Sequence, residues 1–265
     1  MNDEQQKFVE YIDSNKAGEV IKALKAGLNP NFDVYGATPL TLAVGINSPI
    51  KIIRALLEAG ADPNTIVTLP IGGIAMERSE EIKAPRPKER VSALIIASRN
   101  KQLSIVEILI EKGADVNARG TNHLGKIWYT PLMEAVSEGH LPIVQKLIEK
   151  GADVNVQTED GTTALMITSP SAKKSIIVAL LKAGADQNMR NAAGKTAIEV
   201  KTERFNKELK EYPGTLRTDS ALYQHEQGVK AFLTPAAKEE GKEGGKLTMR
   251  HRTRKPKQHA KTRKC

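Results

Sequence analysis

Cysteine is almost missing from this chain. Cys265, the last residue, is the only one. An intrachain disulfide and a cysteine-built metal site are both excluded. A reducing interior, cytoplasmic or nuclear, is the natural compartment. Aromatic residues make up only 4% of the 265 residues, against 40% hydrophobic residues. The core must therefore be aliphatic, which suits packed helices better than an aromatic-pinned β-sandwich. No apolar run approaches the ~18–20 residues needed to span a bilayer. The start, MNDEQQKFVEY, is too polar for a secretory signal, and the ending TRKC does not fit prenylation.

Catalytic signatures are missing too. There is no Gly-x-Ser-x-Gly, His-Glu-x-x-His, phosphate-loop or dinucleotide glycine pattern. Gly72-Gly73 is not followed by the Gly-Lys-Ser/Thr that a phosphate loop needs. The five histidines, His123, His140, His225, His251 and His259, are scattered. Cys265 has no fixed neighbour to make it a nucleophile. No enzyme activity, cofactor or metal is expected.

What the chain does have is repetition. The stretch LIEKGADVN occurs at Leu109–Asn117 and again at Leu147–Asn155. The closing Asn recurs at Asn31, Asn64, Asn117, Asn155 and Asn188, and a Thr/Ser-x-Leu/Ile marker starts at Thr38, Ser92, Thr130, Thr163 and Thr196. The distance from marker to next Asn is 26, 25, 25 and 25 residues. The unit is thus about 33 residues, with a long insertion after Asn64 and a shorter one after Asn117.

Each phrase has a mechanical job. Thr or Ser can N-cap a helix, and the Pro of Thr38-Pro39 and Thr130-Pro131 fits its first position. Gly60, Gly113, Gly151 and Gly184 can take the left-handed conformation that stops a helix. Before each glycine runs one apolar pattern, as in Ile105, Val106, Leu109 and Ile110, which marks a helix buried on one broad face. Asp62, Asp115, Asp153 and Asp186 read as turn residues.

These phrases resemble the ankyrin repeat. The fullest match is Thr130–Asn155, which includes Gly139-His140, and the resemblance covers roughly residues 15–205. Ser92-Ala93, Thr163-Ala164 and Thr196-Ala197 lack the Pro of the pattern. The resemblance implies an all-α ankyrin-repeat solenoid of paired antiparallel helices with short β-hairpin-like loops. A disordered basic C-terminal tail follows it. The expected boundaries are a capping unit at 1–32, then units 33–64, 65–117 (with the insertion 65–90), 118–155 and 156–188, and a truncated unit at 189–208. A linker with a helix over 220–233 fills 209–245.

The net charge of +9 belongs to the tail. Residues 246–265 hold nine of the 40 Lys/Arg and no acid, which leaves 31 basic against 31 acidic residues elsewhere. The tail cations include Arg250, Arg252, Arg254, Lys255, Lys257, Lys261, Arg263 and Lys264. Such a segment could give weak, non-specific, salt-dependent nucleic-acid binding or act as a nuclear-import signal. It could also be a solubilising tail. Basic C-termini also resemble the secretion signals of some bacterial effectors, which would place the protein in a host cell.

Function should fall on what varies between units. The resemblance implies a monomeric protein-binding module that docks a protein partner on its concave face. Hairpin-tip and first-helix positions are the expected contacts: Val34, Tyr35, Arg99, Asn100, Ser137, Glu138, Thr158 and Glu159. The shorter insertion adds Lys126, Trp128 and Tyr129, with Trp128 the only tryptophan. The long insertion is either a finger for a partner or a loop folded back on the repeats.

Overall fold

The computed structural model describes residues 1–70, 88–121, 127–168 and 174–211. The chain divides into two compact units, Met1–Thr234 and Pro235–Cys265. All described residues lie in the first. The basic tail and the 220–233 segment lie outside the described residues.

The helices alternate as the 33-residue unit demands. The first pair is α1 (Asp3–Asp13) and α2 (Ala17–Lys25), and the second is α3 (Pro39–Gly45) and α4 (Ile50–Glu58). Strands β1 (Val67–Pro70) and β2 (Lys88–Val91) precede α5 (Ala93–Arg99) and α6 (Leu103–Glu111). Strands β3 (Gly120–Thr121) and β4 (Ile127–Tyr129) precede α7 (Pro131–Ser137) and α8 (Leu141–Glu149). Then come α9 (Ala164–Ile167), α10 (Lys174–Lys182) and α11 (Ala197–Glu211). Two rows of helices result. One row runs α1, α3, α5, α7, α9, α11, and the other α2, α4, α6, α8, α10, each helix packed on the next in its row. No described helix is long and apolar enough to cross a membrane.

Local chemistry sets the helix ends. Thr38, Ser92, Thr130 and Thr163 cap the first helix of their units, each hydroxyl accepting the N–H three residues on at 3.2–3.4 Å. At the other end Gly60, Gly113, Gly151 and Gly184 adopt φ of 86–90°. A Cβ at any of the four would meet nothing within 4 Å, so backbone conformation and not space calls for glycine there. His140 is a cap as well, its Nδ1 accepting the Ile143 N–H at 3.3 Å.

The GADxN phrase proves to be more than a turn. Asn64 Nδ2 donates to the Gly113 carbonyl at 3.0 Å, and Asn64 Oδ1 accepts the Asp115 N–H at 2.7 Å. Asn117 binds Gly151 and Asp153 in the same way, and Asn155 binds Gly184 and Asp186. Asn31 does the same to Gly60 and Asp62. Each Asn therefore staples its own unit to the next through a carbonyl and an N–H of the turn that follows the next unit's second helix.

Residues of the expected capping unit form a complete helix pair, α1 and α2. Asn2 caps α1 in a reciprocal box with Gln5, and Phe8, Val9 and Ile12 are buried. The edge unit is sealed by the Phe8 ring meeting Phe32 edge-on at 6.1 Å between centroids. At the other end α11 continues to Glu211, so the expected boundary at 208 falls inside a helix.

Candidate partner-binding surface

The units differ most in their hairpins. In the unit of α3 the hairpin is a single bridge between Val34 and Ala37. In the unit of α5 it is a four-residue antiparallel ladder, with Val67 opposite Val91, Thr68 opposite Arg90 and Leu69 opposite Glu89. Burial alternates along β2: Lys88 and Arg90 face out, and Glu89 and Val91 face in. Val67 and Leu69 are buried as well. The base of the long insertion thus folds back on the repeats, with its apolar residues inward. Residues 71–87 lie outside the described residues.

The two hairpin sheets lie side by side. The Arg90 N–H donates to Thr121 Oγ1 at 2.7 Å. A Cβ at Gly120 would lie 2.2 Å from the Arg90 carbonyl oxygen and 2.9 Å from Ile95 Cδ1. Here space, not φ, demands glycine. It lets β3 slide against β2 while both cover α5.

Under this sheet lies a buried ion cluster. Arg99, at the end of α5, donates from Nη1 to Glu89 Oε1 and from Nη2 to Glu134 Oε1, both at 2.9 Å. The side chains of Glu89 and Glu134 are 4% and 1% exposed, and that of Arg99 is 19% exposed. Burial by itself would lower the Arg99 pKa. The hydrogen bond to Glu89 and the charge of Glu134 outweigh it and hold the guanidinium above its ordinary value. One cation thus ties three segments together: the insertion strand β2 and the first helices of two successive units. Glu134 also lies near the start of α7, where the helix dipole favours a carboxylate.

The expected contact residues separate by burial. Tyr35 is 58% exposed at a hairpin tip. Asn100 and Glu159 are exposed, and Ser137 and Glu138 are half-buried. Glu138 pairs with Lys101 of the preceding unit at 3.1 Å. Arg99 is committed to its two carboxylates. Val34, Tyr129 and Thr158 are corrected: they are 0%, 4% and 4% exposed. Val34 and Tyr129 belong to the hydrophobic core, and Val34 is buried between exposed Asp33 and Tyr35. The Thr158 hydroxyl is taken up by Asp160 and Thr162 within its own turn. Lys126, the Trp128 side chain and the basic-tail residues lie outside the described residues. Glu89, Arg90 and Gly120 escaped the sequence reading. The alternation in Lys-Glu-Arg-Val was the available signal for Glu89 and Arg90, and Gly120 had none.

Comparison with known proteins agrees with this architecture. Family models match residues 35–67 ("Ankyrin repeat"), 94–148 ("Ankyrin repeats (many copies)") and 132–200 ("Ankyrin repeats (3 copies)"). Among curated proteins, alpha-latroinsectotoxin-Lt1a of Latrodectus tredecimguttatus is 35% identical over 113 residues, which is 38% of this chain and 8% of that protein. Alpha-latrocrustotoxin-Lt1a of the same species is 32% identical over 136 residues, 45% of this chain and 10% of that protein. SH3 and multiple ankyrin repeat domains protein 2 of Homo sapiens is 26% identical over 129 residues, 48% of this chain and 6% of that protein. The chain thus spans a tenth or less of the length of these curated relatives. Among solved structures, the ankyrin repeat domain of Bcl-3, a member of the IkappaB protein family, superposes with a TM-score of 0.55 at 27% identity, covering 73% of this chain and 76% of that one. By repeated phrase, by helix rows and by family match, this chain belongs to the ankyrin repeat family.

Proposed function

We propose that this chain is a non-catalytic protein-binding module. The repeat array (1–208 by sequence, extended to Glu211 by α11) holds the partner on its concave, hairpin-bearing side. The observation that carries the reading is the division of labour between residues. The recurring Asn, Asp, Gly and Leu positions are used up in joining one unit to the next. The variable positions Tyr35, Asn100, Ser137, Glu138 and Glu159 remain at the surface. A stacked array of this kind is preorganised, so a partner meets a surface already ordered by neighbouring units.

The test is affinity capture with the full chain from nuclease-treated lysate at moderate salt. Tyr35→Asp/Asn100→Asp is compared with Lys51→Asp/Glu107→Arg on the outer helices. A protein retained by the wild type and the outer variant, and lost with the inner one, is the expected outcome. Retention by both variants, with loss only when residues 246–265 are deleted, would move recognition to the tail and sink the proposal.

A further inference from the structure

The first three hairpins place one tip and the strands β1, β2 and β3 beside one another. At the first tip, Tyr35 stands in the left-handed region at φ 52° and is 58% exposed. A bulky residue seldom adopts that conformation. It is held there by the Val34–Ala37 bridge and by the Gly36 N–H, which donates to the Asp33 carboxylate. A Cβ on Gly36 would lie 3.1 Å from the Thr68 carbonyl, so this tip abuts β1. Thr68 faces Arg90 across the ladder, and the Arg90 backbone reaches Thr121 on β3.

The outward face of this surface therefore reads Tyr35, Thr68, Arg90 and Thr121, with Lys88 two residues before Arg90 on the same side of β2. Thr68, Lys88 and Arg90 are exposed, and Thr121 is half-buried. Arg119, next to Gly120, is exposed as well. The one carboxylate on the described ladder, Glu89, is turned inward to Arg99. The pleat thus sorts charge by face: the acid goes to the interior and the cations to the surface.

This inference rests on the protein-binding reading and names the chemistry of the partner. We propose that the outer face of the hairpin sheet docks a short carboxylate-rich segment of the partner protein. Arg90 and Lys88 supply charge-assisted hydrogen bonds, the Thr68 and Thr121 hydroxyls lie beside them, and Tyr35 offers a flat apolar edge. A peptide fits better than a nucleic acid for a reason of extent. A four-residue strand is only about 13 Å long. Exposed Asp33, beside Tyr35 on the first tip, bounds the cationic stretch on one side, and exposed Glu159 and Asp160 on the hairpin after β4 bound it on the other. Those acids would repel a continuous polyanion that ran along the array far more than a short acidic stretch centred on Lys88 and Arg90.

The experiment uses the full chain and a fluorescein-labelled peptide of alternating Asp and Glu, read by anisotropy at low and physiological salt. Lys88→Glu/Arg90→Glu is set against Lys25→Glu/Lys51→Glu, which changes the net charge equally on helix ends outside the sheet. Each exposed contact accounts for a ~1.5–5-fold change in affinity, so reversing both weakens binding by about tenfold or more. The Lys25/Lys51 variant is expected to bind like wild type, and added salt should narrow the gap. Equal binding by the two variants would overturn the proposal, because the tail or the overall charge would then be the receptor. Displacement of the peptide by oligothymidylate, with loss of oligothymidylate binding in the Lys88/Arg90 variant, would assign the face to nucleic acid and overturn it too. An unchanged thermal transition for each variant shows that lost binding is not lost folding. If the capture experiment above still finds a partner that is insensitive to Lys88 and Arg90, the binding-module reading stands and only this chemistry fails.

Discussion

The middle of the array and its C-terminal end solve the same packing problem with different residues. In the middle, the sixth residue of each first helix, counted from the cap, is alanine: Ala97 and Ala135 are both fully buried. At the end, the equivalent positions are Thr168 and Lys201. The helix α9 stops after four residues, where Thr168 adopts φ −45° and ψ 120°. Two residues on is Pro170, whose ring disfavours helix in the residue before it. Lys201 Nζ from the next unit donates to the Thr168 carbonyl at 2.7 Å. Charge is buried in both regions, but to different ends. Arg99 fastens an insertion onto intact helices, and Lys201 satisfies the end of a broken one. The small alanine gives way to Thr168 where α9 ends early, and to Lys201 in the helix packed against that end.

The largest effects should come from these two cations. Arg99→Met leaves Glu89 and Glu134 buried without their partner and should cost about 3–5 kcal/mol. Adding Glu89→Gln should return part of that loss, since one stranded carboxylate is removed. Lys201→Met removes a charged hydrogen bond to a carbonyl and should cost about 1.5–3 kcal/mol. Urea denaturation measures both. Equal losses would mean that the two buried cations do the same job, and the comparison would break.

Core truncation should separate the regions as clearly. Leu132 and Ile198 hold equivalent places in their helices. Leu132 is 1% exposed and belongs to the core, whereas Ile198 is only partly buried beside a groove it shares with Gly194, Lys195 and Thr202. Leu132→Ala should cost ~2–5 kcal/mol, and Ile198→Ala about 1 kcal/mol or less. A loss at Ile198 as large as at Leu132 would show that the end is packed like the middle.

The asparagine staples give a smaller and sharper contrast. Asn117→Ala deletes two hydrogen bonds to the following unit and should cost about 1–2 kcal/mol. Asn188→Ala should cost nearly nothing. Asn188 closes the last GADxN-like phrase, and no side-chain bond joins it to a later unit among the described residues. Hydrogen exchange at the amides of Asp153 and its neighbours reads the same difference locally.

What could be read in the sequence was the part written within a few residues. The Thr/Ser caps act over three residues and the glycine stops over five, so their spacing showed both. The staples span 29 to 51 residues, and the sequence showed only that Asn recurs, not what it holds. The hairpin faces were misassigned at Val34 and Tyr129 because a strand reverses side with each residue. The residue just before the cap could have corrected this: Ala37, Val91 and Tyr129 all precede a cap and are all buried. The cap on α1 was also local, as Asn2 followed three residues later by Gln5, but its unit lacks the Thr/Ser-x-Leu/Ile marker and keeps only the closing Asn31. Glu89 was the least legible residue. Its partner, Arg99, comes from a different element, and the only mark of its burial is a four-residue alternation inside a charged insertion.

The last contrast concerns acid. The interior first helices are capped by hydroxyls, which do not titrate, whereas the cap of α11 is partly a carboxylate. Glu199 Oε2 accepts the Thr196 N–H at 2.7 Å and the Thr196 hydroxyl at 2.9 Å. Those two bonds, the backbone one first, hold the Glu199 pKa below its ordinary value, with Arg190 at 3.3 Å adding its charge. A carboxylate with a depressed folded-state pKa contributes stability that is present above its unfolded value of 4.5. That contribution fades as pH falls through the folded-state pKa. Acid should therefore loosen the start of α11 while leaving the caps at Thr38, Ser92 and Thr130 intact. Amide exchange and chemical shifts at Thr196, followed downward from neutral pH beside those of Met133, test this. Protection at Thr196 should drop below pH 4.5 in the wild type and show no such step in Glu199→Gln. A Thr196 profile as flat as that of Met133 would mean that the end of the array is capped no differently from its middle.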